Sequence, residues 1–311
     1  MLLTVFTPTY NRKELLKRTY ASLKDQTCRD FVWIIVDDGS ADGTEEAVQG
    51  FIDEGEISTE YHFHENGGKM RAHNRGVEYC KTPWFLCLDS DDVLVPDAVE
   101  QILKCIKHIE GYEQAAYEDE GNKMSEARKD KIAGIIAHKG KSETEPLSGV
   151  DFPKEYHDID RQTPTTLYDL YLNGFRGETT LIFRTEILRK FPFPEINGEK
   201  YVPEDYIYDK IDSEYKYFVL PRILTVCEIV SEGYTDSVRR LKEDNKQAWY
   251  LYYEQRARIT PMSLLKLKYL GFYRLYARLT GHALKEADGI SLWDKMLGIP
   301  GEIFLLCTGK M

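Results

Sequence analysis

The chain has 311 residues and a formal net charge of -11, which argues against a general nucleic-acid-binding protein because such proteins need a basic surface. Its six cysteines are scattered, without zinc-site spacing or the density of a disulfide scaffold, so we expect a reducing, cytoplasmic environment. Neither a signal-peptide pattern nor an apolar run of membrane-spanning length is present in the sequence.

Apolar runs and helical patterns alternate through the first half of the chain. Strands are predicted at 2–7, 31–36, 61–63, 84–88, 132–137 and 179–183, and helices at 12–24, 43–54, 70–80, 96–109 and 186–190. Such alternation predicts βαβ units, and therefore an α/β fold with a mostly parallel, Rossmann-like sheet flanked by helices. Residues 110–131 are rich in charge and are assigned no chemistry, 139–166 are predicted as loop, and long helical patterns begin at residue 239.

The most informative stretch is the apolar run 84–88, which is followed directly by Asp89, Asp91 and Asp92. Open α/β sheets bind ligands at the carboxyl ends of their strands. Carboxylates packed this closely repel one another unless a cation neutralises them, and hard oxygen ligands suit Mg²⁺ or Mn²⁺. The stretch therefore predicts a divalent cation that holds a phosphate. The alternative is an acidic turn that caps the helix opened by Pro96 and Asp97.

Two further polar loops follow predicted strands. Residues 7–12 follow the first strand, and Asp37 and Asp38 follow the second. A carboxylate at such a position can accept hydrogen bonds from a uracil imide or from ribose hydroxyls. An ordinary turn, relieved by Gly39 and capped by Asp42, explains the second loop equally well.

Gly67 and Gly68 lead into a helix whose first turns carry Lys69 and Arg71. Backbone N–H groups at a helix start, together with cations, favour a diphosphate contact, although the spacing is neither a Rossmann nor a P-loop fingerprint. His73, on the same helix, shows no metal-ligand spacing and is predicted to pack or to orient its neighbours.

Glu204 and Asp205 are predicted to lie at a helix N-terminus, because an apolar helical pattern follows them. The helix dipole keeps a carboxylate ionised there, which suits a general base and equally suits an N-cap.

Taken together and in this order, these motifs resemble glycosyltransferase family 2, which has the GT-A fold of nucleotide-diphosphosugar transferases. They are Thr-Pro-Thr-Tyr-Asn-Arg, Val-Asp-Asp-Gly-Ser, Asn-Gly-Gly-Lys, Asp-Ser-Asp-Asp and Pro-Glu-Asp. The resemblance covers about residues 1–230 and predicts a GT-A domain there, followed by a helical extension over 231–311 that contacts a membrane or a partner.

The resemblance implies a metal-dependent inverting transferase that moves a sugar from a nucleotide-diphosphate donor, expected to be a UDP-sugar. The expected acceptor is a glycan or a lipid-linked saccharide in cell-surface polysaccharide synthesis. Asp91 would bind Mn²⁺ or Mg²⁺, and the base would be Glu204 or Asp205, with Glu204 favoured by the Pro-Glu subgroup. The remaining donor-site residues would be Thr7, Tyr10 and Asp38 at the base and ribose, Asp89 at the ribose or sugar, and Lys69 and Arg71 near the donor.

Two alternatives to this interpretation are a sugar nucleotidyltransferase and a non-catalytic sugar-nucleotide-binding or scaffolding protein. The first typically has a glycine-rich, Arg-containing loop after its first strand, and residues 7–12 contain none. A scaffold has no chemical need for both Asp91 and the Glu204–Asp205 pair.

The C-terminal part of the chain lies outside the resemblance. Residues 239–282 carry ten Lys or Arg against three acids, a local charge of +7. Arg274 and Arg278 share one face of a predicted helix, so a basic helix lying on the anionic inner face of the cell membrane is one interpretation. A helix packed into the protein with a solvated basic rim is the other. Apolar residues at 292–306 favour peripheral membrane contact.

Overall fold

The computed structural model describes residues 1–119, 131–227, 238–284 and 289–308. Within these ranges the strands form one eight-stranded sheet in the order β3-β2-β1-β4-β7-β6-β8-β5. The strands are β1 Leu3–Thr9, β2 Phe31–Asp37, β3 Thr59–Phe63, β4 Trp84–Cys87, β5 Asp92–Leu94, β6 Ile132–Gly140, β7 Thr179–Arg184 and β8 Lys216–Cys227.

The first four strands in this order are all parallel, whereas β7 is antiparallel to β4 and β6, and β5 is antiparallel to β8. The predicted α/β class, a sheet flanked by helices, is confirmed. The sheet is mixed, because it combines parallel and antiparallel strand pairs. Parallel pairing of β2, β1 and β4 brings their carboxyl ends to one edge, because β1 pairs with both neighbours in register.

Helices cover both faces of the sheet, and further helices follow it in the chain. They are α1 Lys13–Lys24, α2 Thr44–Glu54, α3 Lys69–Tyr79, α4 Ala98–Asp119, α5 Leu167–Leu172, α6 Thr185–Leu188, α7 Asp205–Asp212, α8 Val238–Asp244, α9 Lys246–Ile259, α10 Leu264–Thr280, α11 Leu292–Leu297 and α12 Ile299–Thr308. One apolar layer buries α1, α2 and α4 against the sheet, and the other buries α3 and α6.

The chain divides into two compact units. The first comprises residues 1–192 and 208–230, and the second comprises 193–207 and 231–311. The predicted boundary at 230/231 therefore differs from the structure for residues 193–207, which group with the C-terminal helices rather than with the sheet. In that segment, the Glu199 carboxylate accepts hydrogen bonds from the backbone N–H groups of Gln247 and Ala248 at the start of α9, and these bonds tie the segment to the helix.

The second unit has a core of its own, built mainly from tyrosine, leucine and phenylalanine side chains of α9 and α10. Nine of the seventeen residues of α10 are buried, so this helix lies inside the unit. The Nε of Arg274 donates to Glu302 at 2.8 Å, which turns this guanidinium inward. Of the two interpretations of the basic face of α10, Arg274 fits the helix packed into the protein, whereas Arg278 is exposed.

Three regular elements were not predicted, namely β5, α5 and β8. The β8 sequence contains Pro221 and two basic residues, Lys216 and Arg222, which interrupt its apolar pattern. The strand tolerates the proline because its register with β6 shifts between residues 137 and 139, where the ladder is irregular. The predicted charge-rich stretch continues α4 as far as Asp119, and residues 120–130 lie outside the described ranges.

Gly134 in β6 provides a test of how closely β6 and β7 pack. A Cβ at this position would lie 2.0 Å from the backbone oxygen of Ile182, which cannot move without disturbing the ladder. We expect Gly134→Ala to lower the free energy of unfolding, measured by urea denaturation, by about 1–3 kcal/mol or more. Gly50→Ala in α2 is the matched control, since a Cβ added at Gly50 would meet no heavy atom within 4 Å. That substitution should leave stability unchanged or raise it by up to about 1 kcal/mol, and equal effects of the two would contradict this packing.

Candidate active site

The loops after β1 and β2 interlock at the carboxyl edge of the sheet. The backbone N–H of Asn11 donates to the Ser40 hydroxyl at 2.8 Å, and the Asn11 side-chain oxygen accepts from the N–H of Ala41 at 2.8 Å. Asn11 has a φ of 52°, a left-handed conformation that Asn tolerates better than most residues. These two contacts fix the loop that carries the following residue, Arg12.

The aspartate loop after β4 lies at the same edge, and each of its three carboxylates contacts a cation from a different element. Arg12 donates to Asp91, the ammonium of Lys69 is 2.8 Å from Asp89, and that of Lys139 is 3.0 Å from Asp92. The Thr19 hydroxyl of α1 lies within hydrogen-bonding distance of the backbone oxygens of Ser90 and Asp92, at 3.2 and 3.0 Å. The loop is therefore held in place by α1 as well as by the three ion pairs.

Burial and charge act in opposite directions on the pKa values of these aspartates. Burial alone would raise the pKa of Asp89, but the ammonium groups of Lys69 and Lys139 lower it to about 2. For Asp92 the burial effect prevails and its pKa is raised, although Lys139 opposes the rise. The pKa of Lys139 is raised by Asp89 and Asp92 despite its own burial. Asp89 therefore stays ionised at neutral pH.

Asp38 is buried and joins the β2 loop to the start of α3. Its two carboxylate oxygens accept from the backbone N–H groups of Gly67 and Gly68, both at 2.8 Å, and its own carbonyl accepts from the Asn66 amide at 2.9 Å. The prediction that these two N–H groups contact a diphosphate is not what this structure shows, because Asp38 already occupies them. Lys69, the first residue of α3, is aimed at Asp89 instead.

The other predicted donor residues take varied positions. Thr7 is fully buried, and its hydroxyl accepts from the Trp33 indole at 3.0 Å, so the side chain belongs to the core. Tyr10 is 48% exposed at the sheet edge. Arg71 contacts its own loop, since a guanidinium nitrogen lies 3.3 Å from the carbonyl oxygen of Gly67. His73 packs edge-on against two phenylalanine rings in the core, which confirms its predicted packing role. The roles of Thr7, Tyr10 and Arg71 toward a nucleotide stay predictions.

The donor chemistry of the aspartate loop fits a divalent cation that is shared with a substrate. Among the described residues, no group of three His, Cys, Asp or Glu side chains is arranged to hold a metal ion. Mg²⁺ usually keeps several water ligands and binds through one or two carboxylates plus substrate phosphates, so a complete protein cage is not required. Asp91, whose side chain is 22% exposed, offers one such hard oxygen donor.

Glu204 and Asp205 lie in the second unit, at the start of α7. The Arg256 guanidinium, on α9 of the same unit, donates to the Asp205 carboxylate at 2.9 Å. The Arg256 side chain is only 5% exposed, so Asp205 is the counter-ion of a buried cation. Since the Asp205 carboxylate is already engaged as this counter-ion, Glu204 remains the expected base of the two.

Sequence reasoning missed Arg12 and Lys139 as site residues. Arg12 belongs to a motif that was recognised, and the need of three closely spaced aspartates for a cation was a usable signal. Lys139 gave no signal, because it is 47 residues from its partner Asp92 and reaches it only through the pairing of β6 with β8 and of β8 with β5.

Comparison with known proteins agrees with this geometry. Residues 4–189, more than half of the chain, match the family model described as glycosyl transferase family 2. The chain belongs to glycosyltransferase family 2. It is therefore a glycosyltransferase, and the nucleotidyltransferase alternative is set aside.

Relatives of this family 2 glycosyltransferase include a GalNAc(5)-diNAcBac-PP-undecaprenol beta-1,3-glucosyltransferase of Campylobacter jejuni. It is 26% identical over 83% of this chain and 73% of its own length. The putative teichuronic acid biosynthesis glycosyltransferase TuaG of Bacillus subtilis is 34% identical, over 33% of this chain and 41% of its own length. This chain thus spans less than half of that second relative.

The fold is shared with residues 1–349 of S. aureus TarS, solved in complex with UDP-GlcNAc. The TM-score is 0.60 at 18% identity, covering 97% of this chain and 79% of the other. Across the described ranges, every helix is too short or too polar to cross a bilayer.

Proposed function

We propose that this glycosyltransferase is an inverting, divalent-metal-dependent enzyme that transfers a sugar from a UDP-sugar to a lipid-linked saccharide. We place this transfer in cell-surface polysaccharide synthesis, at the inner face of the cell membrane. The acceptor class is supported by the C. jejuni relative, whose name specifies an undecaprenol diphosphate saccharide. The donor class is supported by the fold neighbour that was solved with UDP-GlcNAc.

The observation that carries the proposal is the set of ion pairs at the carboxyl edge of β1, β2 and β4. Three carboxylates face three cations within a few ångströms, at the place where open α/β sheets bind ligands. Such a cluster can exchange partners with little change in net charge. A bound diphosphate can replace Asp91 as the partner of Arg12 and Asp89 as the partner of Lys69. The two carboxylates released in this way can then bind a metal cation.

Each candidate residue has a defined task in this proposal. Asp91 would hold Mn²⁺ or Mg²⁺, which when bound neutralises the charge that develops on the departing diphosphate. Arg12 and Lys69 orient the phosphates, and Asp38 fixes the loop that positions Lys69. Glu204 accepts the proton of the acceptor hydroxyl as that oxygen attacks the anomeric carbon on the face opposite the diphosphate. The bond between the anomeric carbon and the diphosphate oxygen breaks, UDP leaves, and this single displacement inverts the configuration at the carbon.

The test compares wild type with Asp91→Asn, which keeps the shape of the side chain and removes its charge. We expect UDP release from a panel of UDP-sugars to need Mn²⁺ or Mg²⁺, to stop with EDTA, and to fall at least about 100-fold in the variant. Asp53→Asn on α2 is the matched control, because within the described part of the chain the Asp53 carboxylate accepts a hydrogen bond from an exposed glutamine of the same helix. Full metal-dependent activity in Asp91→Asn would contradict the assignment. Donor binding without turnover by the wild type would instead favour a non-catalytic sugar-nucleotide-binding protein.

A further inference from the structure

The helices α11 and α12 of the second unit have their polarity reversed. In a surface helix of a globular protein the apolar residues normally face inward and the charged ones outward. Here the charged residues Asp294, Lys295 and Glu302 are all less than one-tenth exposed. The apolar residues that are between 38% and 73% exposed are Leu292, Trp293, Met296, Leu297, Ile299, Ile303, Phe304 and Leu306. We call these eight side chains the outer face.

Specific contacts with α10 hold the two helices in this orientation. Besides its bond to Glu302, the Arg274 guanidinium donates to the backbone oxygen of Lys295 at 3.1 Å. Gly271 and Gly301 bring the backbones of α10 and α12 into contact, since a Cβ at Gly271 would lie 2.9 Å from the Gly301 carbonyl carbon. Turning the outer face inward would break a buried ion pair and open this close packing. The exposure of the outer face is thus built into the unit.

We propose that the outer face docks onto an anionic lipid bilayer, with its apolar side chains inserted at the boundary between headgroups and acyl chains. The ten residues of α12 span about 15 Å, against about 30 Å for the hydrocarbon core of a bilayer. The helices therefore lie in the plane of the membrane surface rather than crossing it. A reversed helix pair with an apolar exterior meets the requirement for such an interfacial contact.

Two observations favour lipid over a protein partner. Within residues 292–307 no exposed side chain is charged, whereas protein interfaces carry a polar rim that pairs with the partner. Trp293 is the most exposed member of the outer face, at 73%, and tryptophan concentrates at membrane interfaces.

The charge around the outer face indicates which lipid surface it would meet. Arg278 is 67% exposed, and its guanidinium lies 3.7 Å from the carboxylate of Glu302 on α12. The segment that precedes these helices, 239–282, carries a formal charge of +7 in an otherwise acidic chain. Cations beside an inserted apolar face attract anionic headgroups. The use of this surface rests on the proposed function, because an enzyme that acts on a lipid-linked acceptor must work at a bilayer.

The experiment uses the full chain with vesicles of phosphatidylcholine alone and of equal parts phosphatidylcholine and phosphatidylglycerol, at low and at physiological salt. The variant is Trp293→Glu/Phe304→Glu, which changes two exposed side chains and leaves Arg274, Lys295 and Glu302 in place. The matched control is Leu172→Glu on α5, whose side chain is 40% exposed in the first unit. Cosedimentation, size-exclusion chromatography and UDP release in the absence of lipid are measured for each protein.

We expect wild type and the control to bind the anionic vesicles, the double variant to bind at least tenfold more weakly, and all three to release UDP equally in the absence of lipid. Absence of vesicle binding by the wild type, or equal binding by the double variant, would overturn the proposal. A wild-type dimer that the double variant dissociates, without vesicle binding, would assign the outer face to a second copy of the chain. Vesicle binding without UDP release with any donor would leave the surface assigned and reject the proposed function.

Discussion

Replacing Lys139 with methionine is expected to lower the free energy of unfolding of the first unit by about 3 kcal/mol at neutral pH. The Lys139 ammonium is 3.0 Å from Asp92 and 3.9 Å from Asp89, and the Asp92 side chain is only 6% exposed. Removing one partner of a buried ion pair leaves the other charge uncompensated, at a cost of about 3–5 kcal/mol. Since the Lys139 side chain is itself 22% exposed, we place the effect at the lower end of that range. Urea denaturation of wild type and variant measures it.

The destabilisation should depend on pH, in a direction set by the pKa values. Asp89 has its pKa lowered to about 2, so its contribution to stability is complete above its ordinary pKa of about 4 and is lost as the pH falls toward 2. Asp92 has a raised pKa, so its ionised form costs stability at neutral pH, and this cost grows when Lys139 is absent. The difference between wild type and Lys139→Met should therefore be largest near pH 7 and shrink in acid, as Asp92 takes up a proton.

Lys141→Met is the matched control for that experiment. Lys141 lies just after β6, and its ammonium pairs with Glu145 on the surface, where the two side chains are about half exposed. Exposed pairs of this kind contribute about 1 kcal/mol or less. Equal stability losses in the two variants, or a loss at Lys139 that does not change between pH 7 and pH 4, would contradict the role given to Lys139.

Glu204→Gln is expected to lower the turnover number for transfer by about 10²- to 10⁴-fold while the variant stays folded. A base that removes a proton in the transition state contributes a factor of this size, and the amide keeps the shape of the side chain while losing its basicity. UDP release under saturating donor and Mn²⁺, together with a thermal melt of each protein, tests both parts of the expectation.

Asp205→Asn should behave in the opposite way. The Arg256 side chain is 5% exposed and would lose its anionic partner, so we expect a lower melting temperature with most of the turnover retained. A stable but inactive Asp205→Asn beside an active Glu204→Gln would show that Asp205 is the base, and the preference for Glu204 would be wrong.

The position of the site at one edge of the sheet was predictable from the sequence. That prediction depends on the local pattern of apolar and polar residues along each strand. Apolar runs that end in Asp38 and Asp89 report strands whose carboxyl ends carry polar side chains, and parallel βαβ order then brings these ends together. Contacts set by long-range pairing were not predictable in the same way. Lys139 reaches Asp92 across β8, a strand that was itself hidden by Pro221 and its basic neighbours.

Side-chain direction was the second limit of sequence reasoning. Thr7 lies in a motif that favours ligand contact, yet its hydroxyl bonds to the core Trp33. Arg274 and Arg278 share a predicted basic face, but Glu302 on α12, 28 residues farther along, draws Arg274 inward. A single sequence shows which residues can share a face of a helix, whereas the partner element that packs there decides which of them are exposed.

The most direct measurement is an experimental structure of the full chain with UDP and Mn²⁺. We predict the pyrophosphate at the carboxyl ends of β1, β2 and β4, with Mn²⁺ bound by Asp91 and phosphate oxygens, and with Arg12 turned from Asp91 toward the phosphates. A nucleotide bound away from this edge, with the Arg12–Asp91, Lys69–Asp89 and Lys139–Asp92 pairs all intact, would contradict the central claim that the aspartate loop is the donor diphosphate site.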